Sequence, residues 1–398
     1  MEALSQRIKN LSESQTVAMN QKTQELQAAG KDIINLTVGE PDFPTFQHIK
    51  DAGISAINNN FTYYSPVPGF PDLLKAISQK MKEDNKLDYS TNQIVVSNGA
   101  KHALANSILC LVDPGDEVII PAPYWVSYSE IVKLSEGKSI IIQSTVENDF
   151  KVSAEEIEKA ISPKTKLLIL CSPSNPTGAI YSKKELQSIA EMLKKHPRVI
   201  VIADEIYEYI NFIGKHESIA QFEWMKERTI IINGVSKGFA MTGWRIGYLC
   251  GPSWLAKAAN KLQGQLTTGA NSIAQKAATV ALTSDRSPSI KMAEVFKRRR
   301  DMVVSYFKDM KDIKISEPSG AFYVFPDVSA YYNKSYGGKT IKNSMDFCLF
   351  LIEEALVATV PGEAFGNDNC IRISYATSDE KLELAMQRIS EALKKIAL

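Results

Sequence analysis

The sequence has few of the residues that build metal centres and disulfide frameworks. Its five cysteines are odd in number, widely spaced and without a C-x-x-C pair, so neither a disulfide framework nor a zinc site is expected. The four histidines stand far apart, and none belongs to an H-E-x-x-H motif. We therefore predict reduced cysteines that serve as packing residues, and no metal ion.

Long apolar runs are also missing. No stretch approaches the roughly eighteen consecutive apolar residues of a membrane-spanning helix, and residues 1–30 lack the apolar region of a signal peptide. The 46 Lys and Arg side chains nearly balance the 45 Asp and Glu, so a net charge of +1 gives no general attraction to nucleic acid or to an anionic membrane. These absences predict a cytoplasmic protein with neither kind of partner.

Short apolar runs alternate with helical patterns along the chain, which predicts an α/β fold. The predicted strands of a mostly parallel mixed sheet flanked by helices are 94–96, 118–120, 140–142, 167–170, 199–203, 230–232 and 246–249. A smaller α+β lobe follows, with strands 322–325 and 371–374 and helices 344–354 and 379–396. We expect an N-terminal arm that joins the small domain (1–47), a large domain (48–285) and a small C-terminal domain (286–398).

Three further segments carry predictions. Helical periodicity marks 183–195, and it also runs from 275 through 307, which predicts one long helix that connects the lobes. Residues 331–339 are predicted to form a mobile surface loop. The charge run 297–300 is interpreted as the solvated face of the long helix rather than as an anion-binding patch.

Small and polar residues follow several predicted strands, at the edge where open α/β sheets bind ligands. The string SNGAK at 97–101 is predicted to open a helix near Lys101, whose first backbone N–H groups would cradle a phosphate. Many strand-to-helix turns of this kind bind nothing, so this string alone is weak evidence.

Two later strand ends carry an amide and a carboxylate. Asn175 lies in the string SPSNPTG at 172–178, although Asn before Pro also favours a turn by itself. Asp204 follows the apolar run 199–203, and a carboxylate buried there needs a cation or a strong donor, such as a protonated pyridine nitrogen. The alternative is that Asp204 caps the next helix.

The most informative string is SKGFAMTGWR at 236–245. It places Lys237 just after a buried strand and Arg245 eight residues later, among small residues that let the backbone approach a ligand. Burial lowers the proton affinity of a lysine and makes it a nucleophile toward a carbonyl carbon. Arg245 offers the planar fork that grips phosphate. The alternative is a surface Lys and Arg that flank an ordinary loop.

These strings occur in register along nearly the whole chain, with GEPDF at 39–43, APYW at 122–125, NPTG at 175–178 and DEIY at 204–207. The set resembles the fold-type-I, pyridoxal-phosphate-dependent aminotransferases of class I/II, and among them the aspartate and prephenate aminotransferase subgroup. The resemblance implies the PLP-dependent transferase fold type I, the cofactor pyridoxal 5'-phosphate (PLP), and a homodimer with shared active sites. It also implies transfer of the amino group of L-aspartate to 2-oxoglutarate, which gives oxaloacetate and L-glutamate.

The resemblance further implies roles for single residues. Lys237 would hold the cofactor as a Schiff base and move the proton at the substrate Cα, and Asp204 would keep the pyridine nitrogen protonated. The other implied cofactor contacts are Tyr207 and Asn175 at the phenolic oxygen, Trp125 on the ring, and Arg245 with Gly99, Ala100 and Lys101 at the phosphate. Tyr64 would reach the phosphate of the neighbouring subunit.

For the substrate, the resemblance implies that Arg372 binds the α-carboxylate in bidentate fashion, helped by Asn175, Trp125 and the backbone of Gly39. Lys101 would pair with the distal carboxylate of a dicarboxylate. Members that accept prephenate share a threonine and a lysine, matched here by Thr16 and Lys101. They also have a basic residue close to the position of Ser12, and its absence here weakens the prephenate alternative.

One position departs from the resemblance. Many related enzymes have a serine in contact with phosphate three residues before the lysine, and here that residue is Gly234. We expect Ser236 or the backbone to compensate.

Other functions stay open at this stage. A prephenate or broader aromatic or alanine aminotransferase would differ in only a few side chains. A lyase on the same fold would share Lys237 and Asp204, and would release ammonia or pyruvate without an oxoacid. A non-catalytic regulator would need an added DNA-binding module, and a nicotinamide dehydrogenase would need G-x-G-x-x-G after an early strand. The sequence offers neither.

Overall fold

The computed structural model describes residues 3–12 and 15–396, and for 15–18 the backbone alone. In chain order the strands are β1 Ile34–Asn35, β2 Ile94–Ser97, β3 Glu117–Pro121, β4 Lys138–Ile142, β5 Thr165–Cys171, β6 Ile200–Asp204, β7 Thr229–Gly234, β8 Gly247–Cys250, β9 Tyr323–Val324, β10 Ser335–Tyr336, β11 Lys339–Thr340, β12 Val357–Ala358, β13 Val360–Pro361 and β14 Ile371–Ser374. The α-helices are α1 Gln6–Lys9, α2 Gln15–Ala28, α3 Gln47–Asn58, α4 Pro71–Glu83, α5 Ala100–Leu111, α6 Ser127–Leu134, α7 Ala154–Ala160, α8 Lys183–Leu193, α9 Glu223–Lys226, α10 Ser253–Leu266, α11 Ser272–Thr283, α12 Ser287–Lys308, α13 Ser344–Phe350 and α14 Asp379–Leu393.

The larger lobe is built on a seven-stranded sheet in the order β2-β8-β7-β6-β5-β3-β4. Strands β4, β3, β5, β6 and β7 are neighbours in this order and run parallel. Strand β8 pairs antiparallel with both β7 and β2. Every residue of β7 is buried, as expected for a strand that is covered on both faces. The predicted mostly parallel sheet is confirmed, and each of its predicted strands overlaps an observed strand.

The smaller lobe combines an antiparallel sheet, β13-β14-β9, with the helices α12, α13 and α14. Its core is rich in aromatic side chains, including Phe296, Phe322 and Phe347. Strand β1 pairs in parallel with β12, which joins the N-terminal arm to this lobe. The domain boundaries given above stay a prediction. Within residues 3–12 and 15–396, every helix is too short or too polar to cross a lipid bilayer, and all five cysteines are free.

The predicted single helix over 275–307 is wrong, because residues 284–286 separate α11 from α12. Arg286 folds back and donates to the carbonyl oxygens of residues 281, 282 and 284 at 2.6–3.1 Å, which ends α11. Asp285 Oδ1 accepts from the backbone N–H of Ser287, and Pro288 lies in the first turn of α12, where its fixed φ suits a helix start.

The interpretation of 297–300 as a solvated face is wrong for Arg299 and Arg300, which are 6% and 7% exposed. Helix α12 packs against α14, so this side of α12 lies inside the lobe. Arg299 pairs there with Asp42 and Asp379. Neighbouring carboxylates, rather than water, balance its buried charge.

The predicted surface loop at 331–339 is confirmed only in part. Its outer portion forms the hairpin β10–β11, with Gly337 and Gly338 at positive φ in the turn. Tyr331 is buried, and its hydroxyl donates to the carbonyl of Lys311 at 2.7 Å. The mobility of this segment stays a prediction.

Candidate active site

The strand ends of the large sheet meet the small lobe at a cavity of about 350 Å³. Residues at or just after the carboxyl ends of β5, β6 and β7 line it, which is the place where parallel α/β sheets bind ligands. Most residues predicted from the sequence are in its wall: Gly39, Ala100, Lys101, Trp125, Asn175, Asp204, Tyr207, Ser236, Lys237, Arg245 and Arg372.

Lys237 follows β7 and lines the cavity. Its Nζ donates to the carbonyl oxygen of Gly39 at 2.6 Å. Loss of hydration lowers the pKa of Lys237 to about 8, with the positive charges of Arg372 and Arg245 acting in the same direction and Glu40 opposing them. A sizeable share of this amine is therefore neutral near pH 8, and the neutral amine is the nucleophilic form.

Asp204 is the last residue of β6 and is 4% exposed. The Tyr128 hydroxyl donates to Oδ2 at 2.7 Å, and the backbone N–H of Ile206 donates to Oδ1 at 3.3 Å. Burial raises the pKa of Asp204 to about 6, although the Tyr128 hydrogen bond opposes the rise. A cation in the cavity would stabilise the anionic form. Sequence reasoning missed Tyr128, whose only signal is its position three residues after Trp125.

Arg372 lies on β14 and is 2% exposed. Its Nη1 donates to Asn175 Oδ1 at 3.1 Å and its Nη2 to the carbonyl of Thr37 at 2.7 Å. In the described part of the chain, Nε has no hydrogen-bond partner and no carboxylate pairs with this guanidinium. The group lies 4.6 Å above the Tyr323 ring. A buried cation with an unused donor beside a cavity suits a carboxylate ligand.

Two tyrosines face each other in the wall. The hydroxyl oxygens of Tyr207 and Tyr323 are 2.9 Å apart, and both side chains are buried. Burial raises the pKa of each phenol, so both keep their protons at neutral pH. The sequence pointed to Tyr207 but not to Tyr323, because the apolar run 322–325 was assigned only to a core strand.

Gly99 and Arg245 make a close contact at the N-terminal end of α5. Gly99 has a φ of +87°, and a Cβ on it would lie 2.3 Å from Arg245 Nη2. Arg245 itself has a φ of +58°, and its Nη1 donates to the carbonyl of Thr242 at 2.9 Å. No side chain caps this helix end. The backbone N–H groups of Ala100 and Lys101 and the helix dipole are therefore available to an anion, and the binding of a phosphate here stays a prediction.

The departure at Gly234 has a physical reason. A Cβ at this position would lie 2.8 Å from the Cα of Gly247, its partner in β8, so a serine would force the two strands apart. Ser236 lines the cavity. Its use as a substitute ligand stays a prediction.

Two predicted residues, Gly99 and Tyr64, are not in the cavity wall. Gly99 lies behind Arg245, which it contacts closely. Tyr64 does not line the cavity, and 94% of it is exposed. Thr16 belongs to α2, in the stretch whose side chains fall outside the described residues. Lys101 does line the cavity, with its Nζ 4.9 Å from the centre of the Trp125 ring.

A family model described as aminotransferase class I and II matches residues 31–389. The chain belongs to this aminotransferase family. The aminotransferase is 47% identical over 396 residues to the bifunctional aspartate aminotransferase and glutamate/aspartate-prephenate aminotransferase of Petunia hybrida, covering 98% of this chain and 83% of that protein. It is 43% identical over 394 residues to the aspartate/prephenate aminotransferase of Nitrosomonas europaea, covering 98% and 99% of the two chains.

Solved structures agree with this assignment. The aminotransferase superposes on the aspartate aminotransferase of Rhizobium meliloti with a TM-score of 0.96 and 42% identity, covering 99% of each chain. For the Thermus thermophilus aspartate aminotransferase with maleate, the TM-score is 0.92 at 39% identity, covering 98% and 100%. The fold is fold type I, and the enzyme is a PLP-dependent aminotransferase.

The cavity residues fit the chemistry of PLP. The uncapped end of α5 suits a phosphate, since only glycine at position 99 leaves room for Arg245 beside it. Asp204, buried and with a raised pKa, suits a protonated ring nitrogen. The amine of Lys237, with its lowered pKa, suits an aldehyde.

The aminotransferase also buries a cluster of charged side chains that includes Glu205, the residue after Asp204. Lys80 Nζ is in contact with Glu208, and His216 Nε2 lies 3.0 Å from Glu205 Oε2. Glu205, Glu208 and His216 are spaced as metal ligands, within 4.8 Å of one another. The Lys80 ammonium already neutralises one of the two carboxylates, so the cluster does not require an ion. The expected lack of a metal stays a prediction.

Proposed function

We propose that this enzyme transfers the amino group of L-aspartate to 2-oxoglutarate, giving oxaloacetate and L-glutamate. The observation that carries the proposal is the buried, unneutralised guanidinium of Arg372 in the same cavity as the amine of Lys237. An amino acid whose α-carboxylate is bound to Arg372 would have its amino group close to the amine of Lys237. The names of the Petunia hybrida and Nitrosomonas europaea relatives support aspartate as a substrate.

Lys237 is proposed as the catalytic residue. Bound PLP supplies the aldehyde that accepts the amine and the electron sink for the substrate Cα carbanion. Lys237 would hold the cofactor as a Schiff base, and its free Nζ would carry the proton between the substrate Cα and the cofactor C4′. Its pKa of about 8 suits both tasks, because an acid–base group works best when its pKa is near the working pH.

The residues around the ring are proposed to orient the cofactor. Asp204 holds the ring nitrogen in its protonated form, with Tyr128 fixing the carboxylate. Tyr207 donates its hydroxyl proton to the phenolic oxygen. Because Asn175 Oδ1 already accepts from Arg372, its NH₂ group is left as a second donor to that oxygen. Trp125 covers one face of the ring.

At the other end of the cavity, the phosphate is proposed to bind Arg245, Ser236 and the backbone of Gly99, Ala100 and Lys101. The Gly99 N–H already donates to the carbonyl of Ser97 at 2.7 Å, so the backbone donors left for the phosphate are those of Ala100 and Lys101. Gly99 carries no side chain, so it lets the guanidinium lie against the helix end.

The distal carboxylate of aspartate is proposed to bind Lys101. Its ammonium is held beside the Trp125 ring at the cavity wall, where burial and then Arg245 lower the pKa of Lys101. The Gly39 backbone closes the cavity near the α-carboxylate. Thr16 keeps its proposed part in substrate binding on the resemblance alone.

A homodimer in the cytoplasm is proposed as the working form. Tyr64 is 94% exposed and Tyr63 81%, which is unfavourable for aromatic side chains left in water. An open hollow beside the cavity is lined by Asn98, Thr242 and Arg245, among others. Tyr64 of a second copy would reach the phosphate there. Sedimentation of the purified protein tests the dimer, and loss of activity in Tyr64→Phe tests the shared site.

The test of the function is a panel of amino donors. Aspartate, alanine and aromatic amino acids are offered with 2-oxoglutarate, and kcat/KM is measured for each, since this ratio defines discrimination. We expect aspartate to lead, Lys237→Ala to abolish turnover while the protein stays folded, and Arg372→Lys to raise KM for every donor. Near-normal turnover by Lys237→Ala would refute the assignment.

Prephenate is a second candidate acceptor, because the Petunia hybrida and Nitrosomonas europaea relatives are named for it. The sequence has no basic residue close to position 12, but the fold brings one there from elsewhere in the chain. Lys133 Nζ is 3.5 Å from Ser12 Oγ, and it also donates to Glu130 Oε1 at 2.8 Å. Prephenate added to the panel tests this. A kcat/KM below that of 2-oxoglutarate by about ten-thousandfold or more would exclude a specific site, since a pocket built on polar contacts rejects a mismatched substrate by about 10⁴–10⁵.

A further inference from the structure

Residues 39–43, named here the crossing segment, pass from the small lobe to the large lobe without forming a helix or a strand. Two of its groups reach the cavity side. The Gly39 carbonyl accepts from Lys237 Nζ at 2.6 Å, and Glu40 Oε2 accepts from the hydroxyl of Thr242 at 2.6 Å. The place of this segment therefore affects the position of the reacting amine.

One buried guanidinium fixes the crossing segment to the small lobe. Nη1 of Arg299, on α12, donates to Asp42 Oδ1 at 2.8 Å, and its Nε donates to Asp379 Oδ1 at 2.7 Å. Asp379 is the first residue of α14. Arg299 thus joins two helices and the crossing segment at one point.

Aromatic packing strengthens the same junction. The ring of Phe43 meets that of Phe296 edge-on, with centroids 5.6 Å apart. Phe296 lies three residues before Arg299, on the same face of α12. The guanidinium is 5.7 and 5.8 Å from the two ring centres. Charge and apolar contact therefore both hold the crossing segment against α12.

We propose that Arg299 is a positioning residue for substrate binding, a role that rests on the proposed function. It sets the place of the crossing segment relative to Lys237 and Arg372. The carbonyl of Thr37, just before the segment, accepts from Arg372 Nη2 at 2.7 Å, so a displacement reaches the carboxylate-binding group as well as the amine. A displacement of about 1 Å is enough to cost roughly a hundredfold in rate.

The test uses the PLP-loaded enzyme and maleate, a dicarboxylate with no amino or keto group to react. Arg299→Met removes both ion pairs and keeps an unbranched apolar chain. We expect the Kd of maleate and the KM of aspartate to rise about tenfold to hundredfold and kcat to fall as well. The pH dependence of the absorbance of bound PLP should also shift, because the Gly39 carbonyl that contacts Lys237 belongs to the displaced segment. Arg298→Met is the matched control, because among the described residues Arg298 binds Asp379 alone, and its side chain is 63% exposed.

Three more variants distinguish a positioning role of Arg299 from a simple loss of folding: Asp42→Asn, its combination with Arg299→Met, and Arg299→Lys. Asp42→Asn keeps Arg299 and its bond to Asp379, and should weaken maleate binding as Arg299→Met does. The double variant should bind no more weakly than either single one, because residues that act as a pair are not additive. Arg299→Lys should recover only part of the affinity, since one ammonium does not replace the planar fork that spans both carboxylates.

The outcomes separate this role from the proposed function. Normal maleate binding by the wild type and by Arg298→Met, with weak binding by Arg299→Met and Asp42→Asn, supports the positioning role. Equal binding by all four proteins overturns it and leaves the proposed function intact. A wild-type holoenzyme that binds no maleate overturns both.

Discussion

The hydroxyl of Tyr128 donates to Asp204 Oδ2 at 2.7 Å, and both groups are almost completely buried. This bond opposes the effect of burial on the carboxyl group, so Tyr128→Phe should raise the pKa of Asp204 further. A hydrogen bond to a charged group contributes about 1.5–3 kcal/mol, so we expect PLP affinity to fall roughly tenfold to hundredfold, and more at lower pH. Equilibrium titration of the apoprotein with PLP measures this.

Tyr181→Phe is the control for Tyr128→Phe. Tyr181 is also buried, and its hydroxyl accepts one hydrogen bond, from the backbone N–H of Val152 at 2.9 Å. Its loss should lower stability without changing PLP affinity. If both variants bind PLP equally well between pH 5 and 8, Tyr128 has no part in holding the carboxylate.

The pKa of Lys237 predicts how the apoprotein traps PLP. Loss of hydration lowers this pKa to about 8, and only the neutral amine attacks an aldehyde. The rate of trapping should therefore rise with pH and level off above about 8. Stopped-flow absorbance follows the reaction, and borohydride reduction with peptide mass analysis identifies the labelled lysine. A pH-independent rate, or label on another lysine, would show that this amine is not the nucleophile.

Gly99→Ala should damage the proposed phosphate site. The added Cβ would lie 2.3 Å from Arg245 Nη2, at a φ of +87° that side chains rarely adopt. Gly115→Ala is a close control, because Gly115 has a φ of +88° and open space around it. Both changes should cost about 1–3 kcal/mol in stability from backbone strain. Only Gly99→Ala should also lose affinity for PLP, which calorimetry measures. Equal PLP affinities of Gly99→Ala and Gly115→Ala would contradict a phosphate site at the start of α5.

His216 should make stability depend on pH. Burial alone would lower its pKa, but Glu205 and Glu208 outweigh burial and Lys80, and the pKa of His216 is raised above 6.5. The folded state then binds the proton more tightly than the unfolded state. The extra stability is complete below about pH 6.5 and is lost as the pH rises through the folded-state pKa.

Urea unfolding of wild type and His216→Asn at several pH values measures this effect. The difference in unfolding free energy should be largest in mild acid and shrink above neutral pH. His102→Asn should show the opposite trend. Burial lowers the pKa of His102, whose Nδ1 accepts from the backbone N–H of Asn98, so its contribution is lost as the pH falls through about 6.5. Parallel trends for the two variants would rule out this account.

Local sequence patterns were sufficient to predict which residues lie together where the direction of the strands alone decides it. Parallel strands end at one edge, so the carboxyl ends of β5, β6 and β7 had to bring Asn175, Asp204 and Lys237 together. The helix pattern failed at 284–286, because Arg286 ends α11 through contacts with carbonyl groups that periodicity does not register.

Residues that act across the fold were beyond sequence reasoning. Tyr128 and Tyr323 looked like ordinary core aromatics, and only the packing of distant segments turns their hydroxyls to Asp204 and Tyr207. Arg299 looked solvated because its partners, Asp42 and Asp379, are remote in sequence. Pairings over such separations follow from tertiary contact, which no local pattern encodes.

The antiparallel pairing of β7 with β8 places Lys237 and Arg245 on the one connection between two neighbouring strands. Both proposed anchors of the cofactor therefore belong to a single short piece of chain, whereas Arg372 comes from the other lobe. Cofactor binding and substrate specificity therefore depend on different segments of the chain. A chimera that takes residues 286–398 from a relative of different specificity should still turn yellow with PLP while accepting another donor.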